Sequence, residues 1–287
     1  MSMIPQKDVT NDGKVFKIIS SKAVIIKQLL EILKPYIKEC NVMITPEFIK
    51  ISTVDISKTS VTYVRLDAKK FEHYYCEKTI VIGIDTTVLF KAIKSSNRRE
   101  ILTLYMDSSD QDRLGVELAD PFMGKIKDYK LNLLTLDDKI CKVEDIEFDS
   151  VINIPSIQFQ QIIKDIHLME GKIVEIKSIG KQLIFTSKSE RGEDFRMAVS
   201  EIDDALHKDH KTLLQQNGED LRSVRFTKNT GNIVQGKFKM SYLLNFIKAS
   251  HLCESMNISL ANDKPLVLEY FVADLGILRL LTISVDE

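Results

Sequence analysis

Four stretches of the sequence place apolar residues at intervals of three and four, the spacing that lines one face of an α-helix. Over Ser21–Ile37 the stripe is Ile26, Leu29, Leu30, Leu33 and Ile37, with Lys27, Glu31, Lys34 and Lys38 opposite. Over Thr86–Arg98, Leu89, Phe90 and Ile93 point inward while Lys91, Lys94 and Arg98 line the outside. Over Ser156–Met169, Phe159, Ile162, Ile163 and Ile166 form the stripe and leave Gln160, Gln161, Lys164 and His167 exposed. Over Met240–Leu252, Leu243, Leu244 and Ile247 are inward and Ser241, Asn245 and Lys248 outward.

Between these helices the pattern shortens to β-branched or alternating runs. Asn41–Ile44, Phe48–Ser52, Ser60–Leu66, Thr79–Ile84 and Ile101–Met106 read as strands in the first half. Turn chemistry follows several of them, at Thr45-Pro46 and at Asp107-Ser108-Ser109-Asp110. The second half gives Val151–Ile154, Ile173–Ile176, Leu183–Ser187, Arg196–Val199, Arg222–Thr227, Met256–Leu260, Leu266–Val272 and Leu278–Ser284. Many short strands with four helices predict an α+β chain, with antiparallel sheets covered by helices on one side.

The two halves echo each other. The segment from Thr86 to Ser96 matches that from Met240 to Ser250 in its small polar start, its apolar pair and its Ile-Lys; Lys22–Ile37 is matched more weakly by Ser156–Met169. A repeat this long predicts a duplicated domain, with residues 1–13 as a disordered tail, 14–133 and 150–287 as the two domains, and the acidic stretch 134–149 as a connector. The polar stretch Glu201–Asn232 reads as a flexible surface insertion.

Composition narrows the function. At 44% hydrophobic and 28% charged, the 287 residues have a globular balance. Apolar stretches such as Ile277–Ile283, interrupted by Arg279, fall short of the ~18–20 residues of a membrane span. The polar Met1–Gly13 lacks the apolar core of a secretory signal. Cys40, Cys76, Cys141 and Cys253 are scattered and read as reduced thiols of an intracellular protein. With 40 basic and 41 acidic residues the chain is not basic overall, so contact with nucleic acid rests on where the charge lies. It lies on the helices: every helix has an outer face that is neutral or positive on balance. No aromatic residue interrupts those faces to stack bases, which favours a duplex backbone over a single strand.

No catalytic pattern accompanies this. There is no phosphate-binding loop, dinucleotide glycine motif, nucleophile elbow or zinc-protease helix. His207 and His210 have metal-ligand spacing but no further ligand nearby in sequence, and Asp55, Asp137 and Asp138 are assigned to strand-end and connector roles. No cofactor is expected.

Several stretches resemble one family over nearly the whole chain from Lys14 onward. They are Leu29-Leu-Glu-Ile-Leu33, Asp55 with Ser57, Tyr74-Tyr-Cys76, Ile80–Gly83, Asp128-Tyr129, Ile154-Pro-Ser156 with Phe159, and Pro265-Leu-Val-Leu-Glu-Tyr270 followed by Ala273-Asp274-x-Gly276. The last is the most specific. These stretches resemble proliferating cell nuclear antigen (PCNA), the sliding DNA clamp. The resemblance implies a DNA-clamp fold: two similar domains, each with two helices packed on antiparallel sheets, closing head to tail into a homotrimeric ring. It implies that Gly124–Leu131 and Asp194–Glu201 are the edge strands joining subunits, with Tyr129 at the interface.

The resemblance further implies that the helices face duplex DNA through Lys27, Lys34, Lys91, Lys94, Lys164 and Lys248. Gln28, Gln161 and Ser241 stand where relatives usually carry a basic residue. It implies a groove for clamp-binding peptides of DNA polymerase, clamp loader and other enzymes, lined by Val54, Val61, Cys141, Val143, Pro265, Leu281 and Ile283. Here Leu281 replaces an aromatic, Ile283-Ser284 an Ala-Pro and Glu144 a proline, and a one-residue slip would give Ile140 the role of Cys141. The implied function is a non-enzymatic processivity factor, placed at sites of DNA replication: the nucleus of a cell, or a cytoplasmic factory of a virus. The alternatives are a clamp-like processivity factor acting as monomer or dimer, and a metal-dependent nuclease.

Overall fold

The computed structural model describes residues 11, 13–55, 57–137, 146–201 and 224–285. The chain divides into two compact units. Unit 1 is Met1–Asp55, Thr62–Val143 and Val272–Leu278; unit 2 is Ile56–Val61, Glu144–Phe271 and Arg279–Glu287.

Among the described residues each half of the sequence holds nine strands and two α-helices in one order. The first half runs β1 (Lys14–Ser20), α1 (Ala23–Leu33), β2 (Glu39–Ile44), β3 (Phe48–Val54), β4 (Ser60–Asp67), β5 (His73–Cys76), β6 (Ile80–Asp85), α2 (Thr86–Ile93), β7 (Ile101–Asp107), β8 (Asp110–Asp120) and β9 (Lys125–Asn132). The second runs β10 (Ser150–Pro155), α3 (Ser156–Leu168), β11 (Ile173–Ile179), β12 (Gln182–Lys188), β13 (Asp194–Ser200), β14 (Arg225–Asn229), β15 (Val234–Lys239), α4 (Met240–Phe246), β16 (Ser255–Leu260), β17 (Leu266–Val272) and β18 (Gly276–Thr282). The strand orders match as well. The first half forms β5-β1-β7-β8-β9 and β4-β3-β2-β6; the second forms β14-β10-β16-β17-β18 and β13-β12-β11-β15. The fold is α+β, a duplication complete to the last strand.

The helices form where the periodicity placed them, but three stop early, each for a local reason. Helix α1 ends at Leu33 and not at Ile37, because Pro35 has no N–H to continue the ladder. Helix α2 begins with Asp85 as N-cap, whose carboxylate accepts from Thr87 N at 2.8 Å and Val88 N at 3.0 Å. It ends at Ile93 and not at Arg98, because Asn97 and Glu100 bond the backbone of the following turn. Helix α4 tightens after Phe246 into a 3-10 segment, Ile247–His251, where Ser250 Oγ donates to Ile247 O at 2.6 Å. The stripe on α4 also shifts: Leu244 is half-buried and Phe246 buried.

Five strands lack the pattern that marked the others, and of these β9 is expected only from the resemblance. β1, β5, β8 and β15 carry polar residues on the strand's outward side, and β8 begins with the exposed Gln111, Asp112 and Arg113. Near the end of the polar stretch Glu201–Asn232, the strand expected at Arg222–Thr227 is present from Arg225 onward. Arg225–Asn229 is strand β14, paired with β10 through Ile152↔Phe226 and Asn153↔Arg225. Residues 202–223, with His207 and His210, lie outside the described residues. At the start of the chain Asn11 and Gly13 are tied down, accepting from Lys14 N at 3.0 Å and Ser108 N at 2.8 Å.

Each unit buries its own core between helices and sheet. In unit 1 Leu29 and Leu33 of α1 and Phe90 and Ile93 of α2 cover Phe16, Ile18, Leu102, Val116 and Leu118. In unit 2 Phe159 and Ile163 of α3 and Leu243 of α4 cover Ile152, Phe185, Phe238 and Ile258, with the Phe159 and Phe185 rings 6.3 Å apart. Their burial removes large apolar surfaces from water, the dominant favourable contribution to folding.

Strand β18 lies beside β4, and Gly276 shows how closely. Within unit 1 a Cβ on Gly276 would sit 2.0 Å from Arg65 O, and Asp67 N–H donates to Leu275 O at 2.9 Å. Within unit 2 Ile283 N–H donates to Thr59 O at 3.1 Å. The obstacle at Gly276 is backbone, which cannot swing aside as a side chain does. Gly276→Ala is expected to destabilise the protein by about 1–3 kcal/mol, read as a lower urea midpoint at unchanged slope.

Candidate nucleic-acid interface and assembly edges

The helix faces predicted to meet phosphates are found in both units, with unequal freedom. In unit 1 Lys91 and Lys94 are exposed at the C-terminal end of α2, on the side away from Leu89, Phe90 and Ile93. Lys27 and Lys34 of the α1 segment are half-buried and engaged within the unit. Lys27 Nζ donates to Ser96 O at 2.8 Å, and Lys34 Nζ lies 4.1 Å from the centre of the Phe90 ring. In unit 2 Lys164 is exposed on α3, whereas Gln161 donates to Asp165 Oδ1 at 2.6 Å. Lys248 sits on the 3-10 segment after α4 and donates to Asn245 Oδ1 at 3.1 Å. A surface of this kind offers mobile point charges to a phosphate backbone and no side chain fixed to read base edges.

The predicted peptide-groove residues are unevenly presented. In unit 2 Val61 and Pro265 are half-buried and Ile283 is 49% exposed, while Leu281, which strand alternation puts on the same side of β18 as Arg279, is buried at 6%. In unit 1 Val54 is 40% exposed at the end of β3. Cys141, Val143, Ile140 and Glu144 lie outside the described residues.

The two predicted interface strands are both sheet edges, β9 at the end of one sheet and β13 at the end of another. Each leaves its outward N–H and C=O groups without a ladder partner among the described residues. Tyr129, opposite Val116, points with Lys127 and Leu131 toward the helix-covered side of β9. On β13 the helix-covered side carries Phe195, Met197 and Val199, opposite Ser187, Phe185 and Leu183. Lys127, Tyr129 and Leu131 of β9 and Phe195, Met197 and Val199 of β13 are all half-buried. The resemblance pointed to Tyr129 alone. The alternation at 195, 197 and 199 was the available signal for the opposing set.

Strand β9 is held to its sheet by a charged cluster on the other face. Tyr105 lies flat over Gly115, where a Cβ would meet its ring at 2.4 Å. The ammonium groups of Lys14 and Lys130 each sit 4.3 Å from the Tyr105 ring centre, and its hydroxyl donates to Asp128 Oδ1 at 3.1 Å. Asp107 accepts from both lysines, from Lys130 Nζ at 2.5 Å. These hydrogen bonds, Lys130 foremost and then Lys14, hold the Asp107 carboxyl below the usual carboxylate range.

Little else is poised for chemistry. Burial pushes the Cys40 thiol up to about 12 and also raises that of Cys253, so both keep their protons. Among the described residues no group of three or more His, Cys, Asp or Glu side chains is placed to hold a metal ion.

Comparison with known proteins agrees with this geometry. The family model described as "Proliferating cell nuclear antigen, N-terminal domain" matches residues 15–140, and its C-terminal counterpart matches residues 142–284. The chain is also similar to a "Probable DNA polymerase sliding clamp 1" of Paramecium bursaria Chlorella virus 1. The two are 27% identical over 269 residues, covering 94% of this chain and 96% of the relative.

The Asp107 cluster makes a pH-dependent contribution to stability. Its folded pKa is depressed, so the contribution is complete above the unfolded value of about 3.9 and is lost as pH falls through the folded value. Asp107→Asn is expected to cost about 1–2 kcal/mol at neutral pH. Denaturation measured across pH should show the gap between variant and wild type closing in the acid range below the unfolded pKa.

Proposed function

Because this chain belongs to the proliferating cell nuclear antigen family, we propose that it is a sliding clamp: a ring subunit that encircles duplex DNA and holds DNA polymerase on its template. The observation that carries the reading is the repetition of strand order. In each half the fourth and ninth strands end their sheets' own sequence of pairings. The ninth strand of the second half, β18, lies beside the fourth strand of the first, β4. The equivalent strands β9 and β13 remain open. A second copy offers each of them the partner that β18 and β4 already have in one another. Tyr129 and Leu131 of one copy would then complete the core beside Phe195, Met197 and Val199 of the next. Such a joint is heterologous, repeats head to tail and closes when the rotation per copy allows, in this family at three copies.

The remaining features follow from a ring. Lys91, Lys94, Lys164 and Lys248 give weak, salt-sensitive contact with phosphates, to which Lys27 and Lys34 add through their partly engaged ammonium groups. Weak contact suits movement along DNA, whereas a tight base-reading site would arrest it. PCNA-family clamps are non-enzymatic scaffolds. This one acts by topology, raising the effective concentration of a tethered polymerase, clamp loader or repair enzyme. Their peptides dock against Val54, Val61, Cys141, Val143, Pro265, Leu281 and Ile283. The working place is intracellular, at sites of DNA replication.

Light scattering tests the assembly. The wild-type chain is expected at the mass of a trimer. Val199→Asp, which puts a charge at the open β13 edge, is expected at the mass of a folded monomer with an unchanged circular dichroism spectrum. A wild-type monomer at micromolar concentration would favour a clamp that grips DNA by one face without closing.

A further inference from the structure

The turn that joins α2 to β7, residues 94–100, is fixed from several directions. Ser96 N–H donates to Ile93 O at 2.9 Å, and Ser96 O accepts from Lys27 Nζ. Asn97 folds the next residues around itself: its Oδ1 accepts from Arg99 N at 2.8 Å and its backbone O from Glu100 N at 3.2 Å. Glu100 is the anchor. Its side chain is 3% exposed, with Oε1 2.7 Å from Lys127 Nζ, while Oε2 accepts from Asn97 N at 3.0 Å. Lys127 also reaches Ser95 Oγ at 3.1 Å.

A buried carboxylate is costly unless neutralised and hydrogen-bonded, and here it is both. The expenditure holds in place a turn from which Arg98 and Arg99 project. Both are exposed, and among the described residues neither guanidinium has an ion pair or hydrogen bond. They extend the exposed pair Lys91 and Lys94, so this end of α2 presents four cations within nine residues. Some of that charge would favour the helix C-terminus through the helix dipole, but the dipole fades within the last turn of helix and α2 has ended at Ile93.

We infer that the Arg98–Arg99 turn is a second phosphate-binding element for duplex DNA, pre-organised by Glu100 and Lys127. The inference rests on the sliding-clamp reading. It supplies cations that Gln28, Gln161 and Ser241 do not, and does so from a turn instead of a helix face. Guanidinium suits the task, because its planar fork can grip phosphate oxygens in pairs and it is less strongly hydrated than an ammonium.

The experiment follows the affinity for a short fluorescent duplex by anisotropy as salt is varied. Arg98→Gln/Arg99→Gln should lower the slope of log K against log salt by about 0.9 per lost contact, about 1.8 for each copy of the turn that touches the duplex. Arg98→Lys/Arg99→Lys should keep most of the slope. A role confined to stabilising the turn would move the melting temperature and leave the slope alone. Lys91→Gln/Lys94→Gln serves as the comparison. If that pair lowers the slope and the arginine pair leaves it unchanged, the turn is no phosphate site and the clamp reading stands. If neither pair changes it, or the wild type shows no salt-dependent association, the assignment of α2 to DNA falls and this inference with it.

Discussion

A strand at the end of a sheet leaves half of its backbone donors and acceptors without partners, and water is a poor long-term solution when apolar side chains flank them. That constraint governs this chain more than any single side chain does. The duplication generates two ninth strands and two fourth strands. One pair is satisfied inside the chain, β18 beside β4, and the other pair, β9 and β13, has no partner strand among the described residues. Around the open edges the sequence has kept half-buried aromatic and aliphatic side chains and no proline, and the inward-pointing Lys127 of β9 is neutralised by the buried Glu100. The charged cluster around Asp107 and Tyr105 makes sense in the same frame. It lies on the opposite face of β9 and ties Asp128 and Lys130 of that strand to Tyr105 and Asp107 of β7.

Charge is handled locally. The chain as a whole is near neutral, yet acids and bases are not mixed at random. Glu100 is withdrawn into the protein and neutralised by Lys127, Asp107 is shared between Lys14 and Lys130, and Glu269 is matched by Arg279 at 2.6 Å. Each pairing takes an anion off the surface. Among the described residues the exposed Lys91, Lys94, Arg98 and Arg99 of α2 and its following turn make no ion pair. Net charge alone hides that separation.

Much of this was legible in the sequence. The helix stripes were, because Leu and Ile at three- and four-residue spacing leave a helix one way to bury them. The echo between Thr86–Ser96 and Met240–Ser250 was visible, and the structure extends it from two helices to every strand. Helix ends were harder: Pro35 stood in plain view, but the back-bonding of Ser250 and the grip of Asn97 and Glu100 on their own turn are decided by geometry that periodicity ignores. The polar residues on the outward sides of β5, β8 and β15, and the polar start of β8, hid those strands. The open edges came from family resemblance, not from periodicity, because whether a strand ends a sheet is a property of the whole topology. Lys27 and Lys34 illustrate the remaining gap. Sequence shows that a lysine is on the outer face but not that its ammonium already has Ser96 O or the Phe90 ring to rest on.

The two open edges are unlike. β9 carries three lysines and one aspartate; β13 carries one aspartate and one arginine. In the proposed assembly a joint between unlike edges has a direction, so every copy would be at once a giver and a receiver. A copy damaged at one edge only remains able to bind through the other. Such a copy would enter an assembly and then terminate it, poisoning rings that its intact neighbours would otherwise close. In a ring of three, the population of sound rings then falls as the cube of the undamaged fraction. For this architecture a lesion at a single edge is therefore more harmful in mixture than the complete loss of the chain.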